Sequence, residues 1–131
     1  MTQKVSITID SGQKCPDYFD LDKIQGIKDY CLGSKYELSV VFTSSQKIQE
    51  LNSSYRNKNT PTDILSFPLN ENEGEIFFCM NEVEKEAEKF DRKVDNFLIF
   101  LFIHGCVHLK GYDHGSKMEE IETEIRNKFH V

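Results

Sequence analysis

Three of the four histidines in this chain fall within eleven residues, His104-Gly-Cys-Val-His108-Leu-Lys-Gly111-Tyr-Asp-His114. At 3.6 residues per turn, His104 and His108 lie one turn apart on one helix face, where their imidazoles can converge on one ion. Gly111 has no Cβ and can take the left-handed conformation that ends a helix. The chain can then double back and bring His114 to the same point. Three side-chain ligands with a fourth position open describe a catalytic zinc site, one Zn2+ per chain, rather than a closed structural one. A lone histidine in an apolar helix is most simply a packed core residue. Three at this spacing are hard to explain by packing, because burying an unpartnered imidazole costs free energy.

The spacing H-x3-H-x2-G-x2-H is shared with the metzincin protease motif H-E-x-x-H-x-x-G-x-x-H. The glutamate that serves as general base there is replaced here by Gly105, and no other carboxylate lies within that turn. A zinc peptidase or amidase is therefore the disfavoured reading. The chemistry must instead rely on a water acidified by the metal, whose pKa can fall to about 7. Cys106 lies roughly 200° around the helix from His104 and is expected in the core. For Asp113 three roles stay open: holding a ligand imidazole, acting as acid or base, or shaping the turn. His130 reads as a solvated tail residue.

These histidines need a long helix to carry them. Residues 94–110 are apolar nearly all round, which predicts a buried central helix ended by Gly111. Upstream, Val5, Ile7 and Ile9 alternate with polar residues as in a strand. Pro16 is expected to open a helix that stops near Gly33. Residues 36–43 (YELSVVFT) predict a second strand. Ser44 or Ser45 caps a helix with Ile48, Leu51 and Tyr55 on one face. Residues 57–62 form a polar turn, and 64–67 a short strand flanked by Pro61 and Pro68, which places it at a sheet edge. A turn over 70–74 leads to a strand over 75–80. Asn81 with Glu84 predicts an N-cap pair for a helix through Phe90, and Ser116 with Glu119 a capping box for the last, acidic helix. Strands and helices mix without strict alternation, so the expected class is α+β, a small mixed β-sheet packed against helices.

The length, 131 residues, suits a single domain over 1–131 with one core, and ten phenylalanines supply bulk for it. The opening MTQKVSITID has no apolar stretch of signal-peptide type, and residues 97–103 are too few to span a bilayer. A cytoplasmic protein with no membrane partner is expected. The four cysteines form no close pair and are expected reduced and mostly buried. A net charge of −6 argues against general nucleic-acid binding. Residues 44–62 depart from that balance, with Lys47, Arg56 and Lys58 against Glu50. Taken alone, Arg56 at a helix C-terminus reads as a charge that meets the helix dipole.

Together, two segments resemble the YbeY family of bacterial endoribonucleases. Tyr55-Arg56 and Pro61-Thr62-Asp63-Ile64-Leu65-Ser66-Phe67-Pro68 match its Y-R-x-x-x-x-P-T-D-V-L-S-F-P stretch. His104-Gly105, His108-Leu109 and Gly111-Tyr112-Asp113-His114 match its H-G-x-L-H-L-x-G-Y-D-H stretch. Phe97 stands where the family commonly has glutamate. The resemblance implies a zincin-like fold with a sheet of about four strands. It implies metal-dependent, single-strand-specific RNA cleavage in the maturation of small-subunit (16S) ribosomal RNA, and in ribosome quality control. It implies that Arg56 is the catalytic side chain beside the metal. The implied partners are single-stranded or ribosomal RNA, the small ribosomal subunit, a ribosomal protein and an assembly GTPase. A non-catalytic assembly factor with a structural metal is a further alternative. Arg suits a phosphate because its planar fork matches phosphate oxygens.

Overall fold

The computed structural model describes residues 2–131. Its four strands are β1 (Ser6–Ile9), β2 (Glu37–Phe42), β3 (Ile64–Asn70) and β4 (Glu73–Phe78). They form one sheet in the order β1-β2-β4-β3. β1 and β4 both run parallel to β2, while β3 returns antiparallel to β4 as a hairpin. The sheet is thus mixed, with β3 at an edge, as the flanking prolines require. β3 runs on through Pro68 to Asn70, beyond its expected end, and the pairing shifts register between those two residues. An edge strand tolerates a residue without an N–H where a central strand would not.

Five helices complete the fold: α1 (Leu21–Leu32), α2 (Ser45–Arg56), α3 (Met80–Lys89), α4 (Val94–Lys110) and α5 (Ser116–Phe129). α4 lies across β3 and β4 and is flanked by α1, α3 and α5. Apolar residues surround it because its neighbours do. Leu98, Phe102, Ile103, Cys106 and Val107 are all fully buried, and each such aliphatic or aromatic side chain contributes about 1.5–3 kcal/mol. Phe19 packs edge-on against Phe42, Phe78 and Phe102 at centroid distances of 5.3, 6.1 and 6.2 Å, tying the sheet to α4. A second cluster, Ile48 and Leu51 from α2 against Leu65, Phe67 and Phe77, covers the other face of β3 and β4. That contact fixes where α2 ends, and so where Arg56 stands.

Three helix starts differ from expectation, each for a local reason. α1 begins at Leu21, because Asp20 caps it by accepting from the Lys23 N–H at 3.1 Å. Pro16 instead starts a turn closed by the Phe19 N–H to its carbonyl, which delivers Phe19 to the core. α3 begins at Met80, so Asn81 is already helical; its amide donates to Ser45 Oγ rather than forming a cap pair. α5 has Gly115 at its N-cap, with φ +150°, which places Ser116 inside the helix and leaves no capping box. The predicted caps at Ser44 and Gly111 are present. Cys31, Cys79 and Cys106 are buried, Cys15 is half-buried, and all four are free thiols.

Candidate metal centre

His104 and His108 occupy the C-terminal third of α4, on its one face not covered by the core. Both are half-buried, and the three residues between them are buried. Gly111 adopts φ +111° and ψ 10°, and its N–H returns to the His108 carbonyl at 2.9 Å. This left-handed turn brings exposed His114 back over the helix end. The three rings meet with centroids 4.6 Å (His104–His108), 4.9 Å (His108–His114) and 5.3 Å (His104–His114) apart. One ring nitrogen from each lies within 4.8 Å of the others.

The tautomers of two rings follow from their partners. His104 Nδ1–H donates to the carboxylate of Glu122 on α5, and His108 Nδ1–H donates to the Tyr112 carbonyl at 3.1 Å. A carbonyl and a carboxylate oxygen accept, so in the neutral ring the tautomer with the proton on Nδ1 is favoured, and that tautomer leaves the Nε2 lone pair free. Burial, reinforced by neighbouring His104 and His114 and by Arg56, lowers the His108 pKa. The neutral form is the one a metal ion requires. Three converging imidazoles, two of them locked in orientation, fit a zinc-type divalent ion with room for a further ligand.

The carboxylate that holds His104 is Glu122, whereas Asp113 is exposed in the turn. Sequence reasoning did not find Glu122. It lies 18 residues from its partner, one acid among several on α5, and only the packing of α5 on α4 selects it. Cys106 is fully buried, and His130 is exposed at the C-terminal cap of α5. Gly105 explains the missing protease glutamate. It faces the sheet, and a Cβ there would sit 2.9 Å from Ser66 Oγ, 3.0 Å from Ile76 Cδ1 and 3.1 Å from Ile64 Cδ1. No acidic side chain can stand at this position between the two helical histidines in this packing.

Arg56 is the last residue of α2, and Asn57 after it takes the left-handed conformation at φ 56°. α2 is thereby cut off at the rim of a cleft of about 590 Å³ that contains Arg56, Lys58, His104, His108 and His114 together. The cation and the histidines, 48 residues or more apart in sequence, thus share one solvent-open cavity. Exposed Tyr55 packs against Phe67 at the same rim, with centroids 5.2 Å apart and the rings tilted by 60°. Asp63, to which sequence reasoning gave no separate role, lines the cleft as well. Its pKa is raised, mainly by burial and then by Glu86.

The family model described as Endoribonuclease YbeY matches residues 21–130. A protein of Nautilia profundicola named Endoribonuclease YbeY is 36% identical over 130 residues, covering 94% of this chain and 92% of that protein. One of the same name from Staphylococcus carnosus is 39% identical over 104 residues, covering 70% and 68%. Among solved structures, the solution structure of TM1509 from Thermotoga maritima superposes with a TM-score of 0.68 at 28% identity, covering 95% of this chain and 88% of that one.

Proposed function

The chain belongs to the YbeY family of endoribonucleases, and from that premise we propose that it cleaves single-stranded RNA with one zinc ion held by His104, His108 and His114 and with Arg56 on the scissile phosphate. The observation that supports this most directly is the sharing of one open cleft by three imidazoles, two of them held in orientation, and a guanidinium. Bound there, zinc supplies Lewis-acid stabilisation of charge on a phosphoryl oxygen. Glu122 and the Tyr112 carbonyl hold the two helical imidazoles in the ligating tautomer. Arg56 presents its fork of N–H donors to the non-bridging oxygens, where negative charge builds as the P–O bond breaks. Lys58 adds a second cation along the backbone path. The attacking oxygen is that of water or of the adjacent 2′-hydroxyl; either is compatible with this arrangement.

The biological substrate in this proposal is precursor small-subunit ribosomal RNA, acted on in the cytoplasm. With a net charge of −6, the protein has little general attraction for RNA. Recruitment through the small ribosomal subunit, a ribosomal protein or an assembly GTPase supplies what charge does not. No described helix is long and apolar enough to cross a membrane. The peptidase alternative lacks the helical glutamate of that motif, and a Cβ at Gly105 would already meet Ser66, Ile76 and Ile64.

Arg56→Ala tests the reading. Arg56 is exposed, so folding and zinc content should stay close to wild type. Cleavage of a single-stranded RNA, or of precursor ribosomal RNA in assembling subunits, should fall by roughly 10²–10³. Arg56→Lys should recover part of this, since an ammonium keeps the charge but loses the fork. Undiminished cleavage by folded, zinc-loaded Arg56→Ala protein removes Arg56 from the mechanism. Full zinc binding with no cleavage by the wild-type protein on any ribosomal substrate favours a non-catalytic assembly role.

A further inference from the structure

Two cavities meet at the histidine centre, and His104, His114 and Asp63 line both. The larger holds the cations Arg56 and Lys58. The smaller, about 290 Å³, has no lysine or arginine on its walls. Its apolar lining is the rings of Phe90, Phe97 and Phe100 with Leu101 and Met118, and its acidic groups are Asp63, Glu119 and Glu122. The three rings form a row, with half-buried Phe100 at one end, buried Phe97 in the middle and exposed Phe90 at the other end. Phe97 stacks on Phe100 at 6.0 Å and 18°, and Phe90 lies over Phe97 at 6.2 Å and 33°. The Phe100 ring is held by the guanidiniums of Arg92 and Arg126, 4.5 and 5.1 Å from its centroid. Phe97 is 4% exposed but Phe90 is 61% exposed, so the outer ring offers an aromatic face to water beside the metal ligands.

We propose that this smaller pocket is a base subsite, which takes one unpaired nucleobase adjacent to the phosphate held on the Arg56 side. This rests on the endoribonuclease reading above and extends it to how the enzyme senses single strands. Charge divides the strand between the two cavities. Carboxylates repel the phosphate backbone, which belongs with Arg56 and Lys58. The same carboxylates accept hydrogen bonds from the amino or imino N–H groups that every base carries on its Watson–Crick edge, and an aromatic row gives the base a stacking platform. In a duplex that edge is paired and both faces are stacked, so a double-stranded substrate cannot fill the pocket. The two cavities share their histidine wall, so a nucleotide with its phosphate at the centre needs only to turn its base to one side.

The test uses zinc-loaded full-length protein and a single-stranded oligoribonucleotide carrying one abasic nucleotide, moved position by position. A second series carries 2-aminopurine, whose fluorescence stacking quenches. Phe90 is the residue to vary, because its exposure leaves the core intact when it is replaced. For the wild-type protein, an abasic site at one position next to the cleaved bond should lower kcat/KM by about 5- to 150-fold, the span of one base–aromatic stack. Phe90→Ala should cut the intact strand more slowly, chiefly through KM, and should sense the abasic position less; Phe90→Trp should restore both. 2-Aminopurine at that position should be quenched by wild type and not by Phe90→Ala. Quenching that depends on Phe90 in a strand never cleaved supports the pocket and sinks the activity. Cleavage indifferent to Phe90 and to every abasic position keeps the activity and overturns the pocket. Neither binding nor cleavage overturns both, and leaves the aromatic row to a protein partner.

Discussion

Replacing Glu122 by glutamine perturbs the centre without touching a ligand. Glutamine keeps the length of the side chain and an acceptor oxygen, and removes only the charge opposite His104 Nδ1–H. The two side chains are 12% and 25% exposed, so water screens the pair only partly, and the near-zero worth of a surface ion pair does not apply. A hydrogen bond to a charged group is worth about 1.5–3 kcal/mol net, and a neutral one about 1 kcal/mol. The difference, about 0.5–2 kcal/mol, corresponds to roughly 2- to 30-fold in zinc affinity. Glu122→Ala, which removes the acceptor altogether, should reach the roughly 10- to 100-fold loss typical when the partner of a metal-bound histidine is deleted. Competition against a chromophoric chelator measures the affinity, and a melting curve of the metal-free protein controls for the docking of α5. That docking should survive in Glu122→Gln, because Met118 and Ile125 bury it at 1% and 2% exposure. Asp113→Ala, at an exposed position, should change affinity by no more than about 2- to 3-fold, in keeping with a surface substitution of within ~0.5 kcal/mol. Wild-type zinc affinity in a well-folded Glu122→Ala protein would show that the orientation of His104 does not depend on α5.

Gly105→Ala should destabilise the protein by about 1–3 kcal/mol in denaturant titration, because the added methyl overlaps Ser66, Ile64 and Ile76 across a tight interface. An unchanged midpoint would mean that α4 and the sheet separate easily at this point. His108→Ala should abolish stoichiometric zinc binding; full metal content in that variant rules out the three-histidine site. Chelation should lower the melting temperature of the wild-type protein and leave its near-UV circular dichroism largely intact, since the phenylalanine-rich core does not include the metal ligands. A fully unfolded metal-free chain would show that the ion is structural. Casein and peptide libraries should remain uncut at any zinc concentration, and zinc-dependent proteolysis abolished by His104→Ala would restore the peptidase reading.

The local parts of the centre could be read from one dimension. The i, i+4 spacing of His104 and His108 and the glycine at 111 depend on helix geometry and on the absence of a Cβ, and both are properties of short segments. The same holds for the unbroken apolar helix over 94–110, the edge strand between two prolines and the Ser44 cap. The exact starts of α1, α3 and α5 were not legible, because adjacent residues compete for the N-cap and small differences in how the preceding loop packs choose between them. Arg56 was legible as part of a family-like segment, but its place in the same cleft as the histidines depends on α2 packing over β3 and β4 through Ile48 and Leu51. Glu122 and the aromatic pocket lay further still from anything a spacing can express. α5 carries several carboxylates, and which of them meets His104 is set by the angle at which Met118 and Ile125 seat the helix. That angle results from burying apolar area, a non-directional force summed over the whole core. Spacing along the chain could therefore nominate the ligands, while the choice of what orients them waited on packing between segments far apart in sequence.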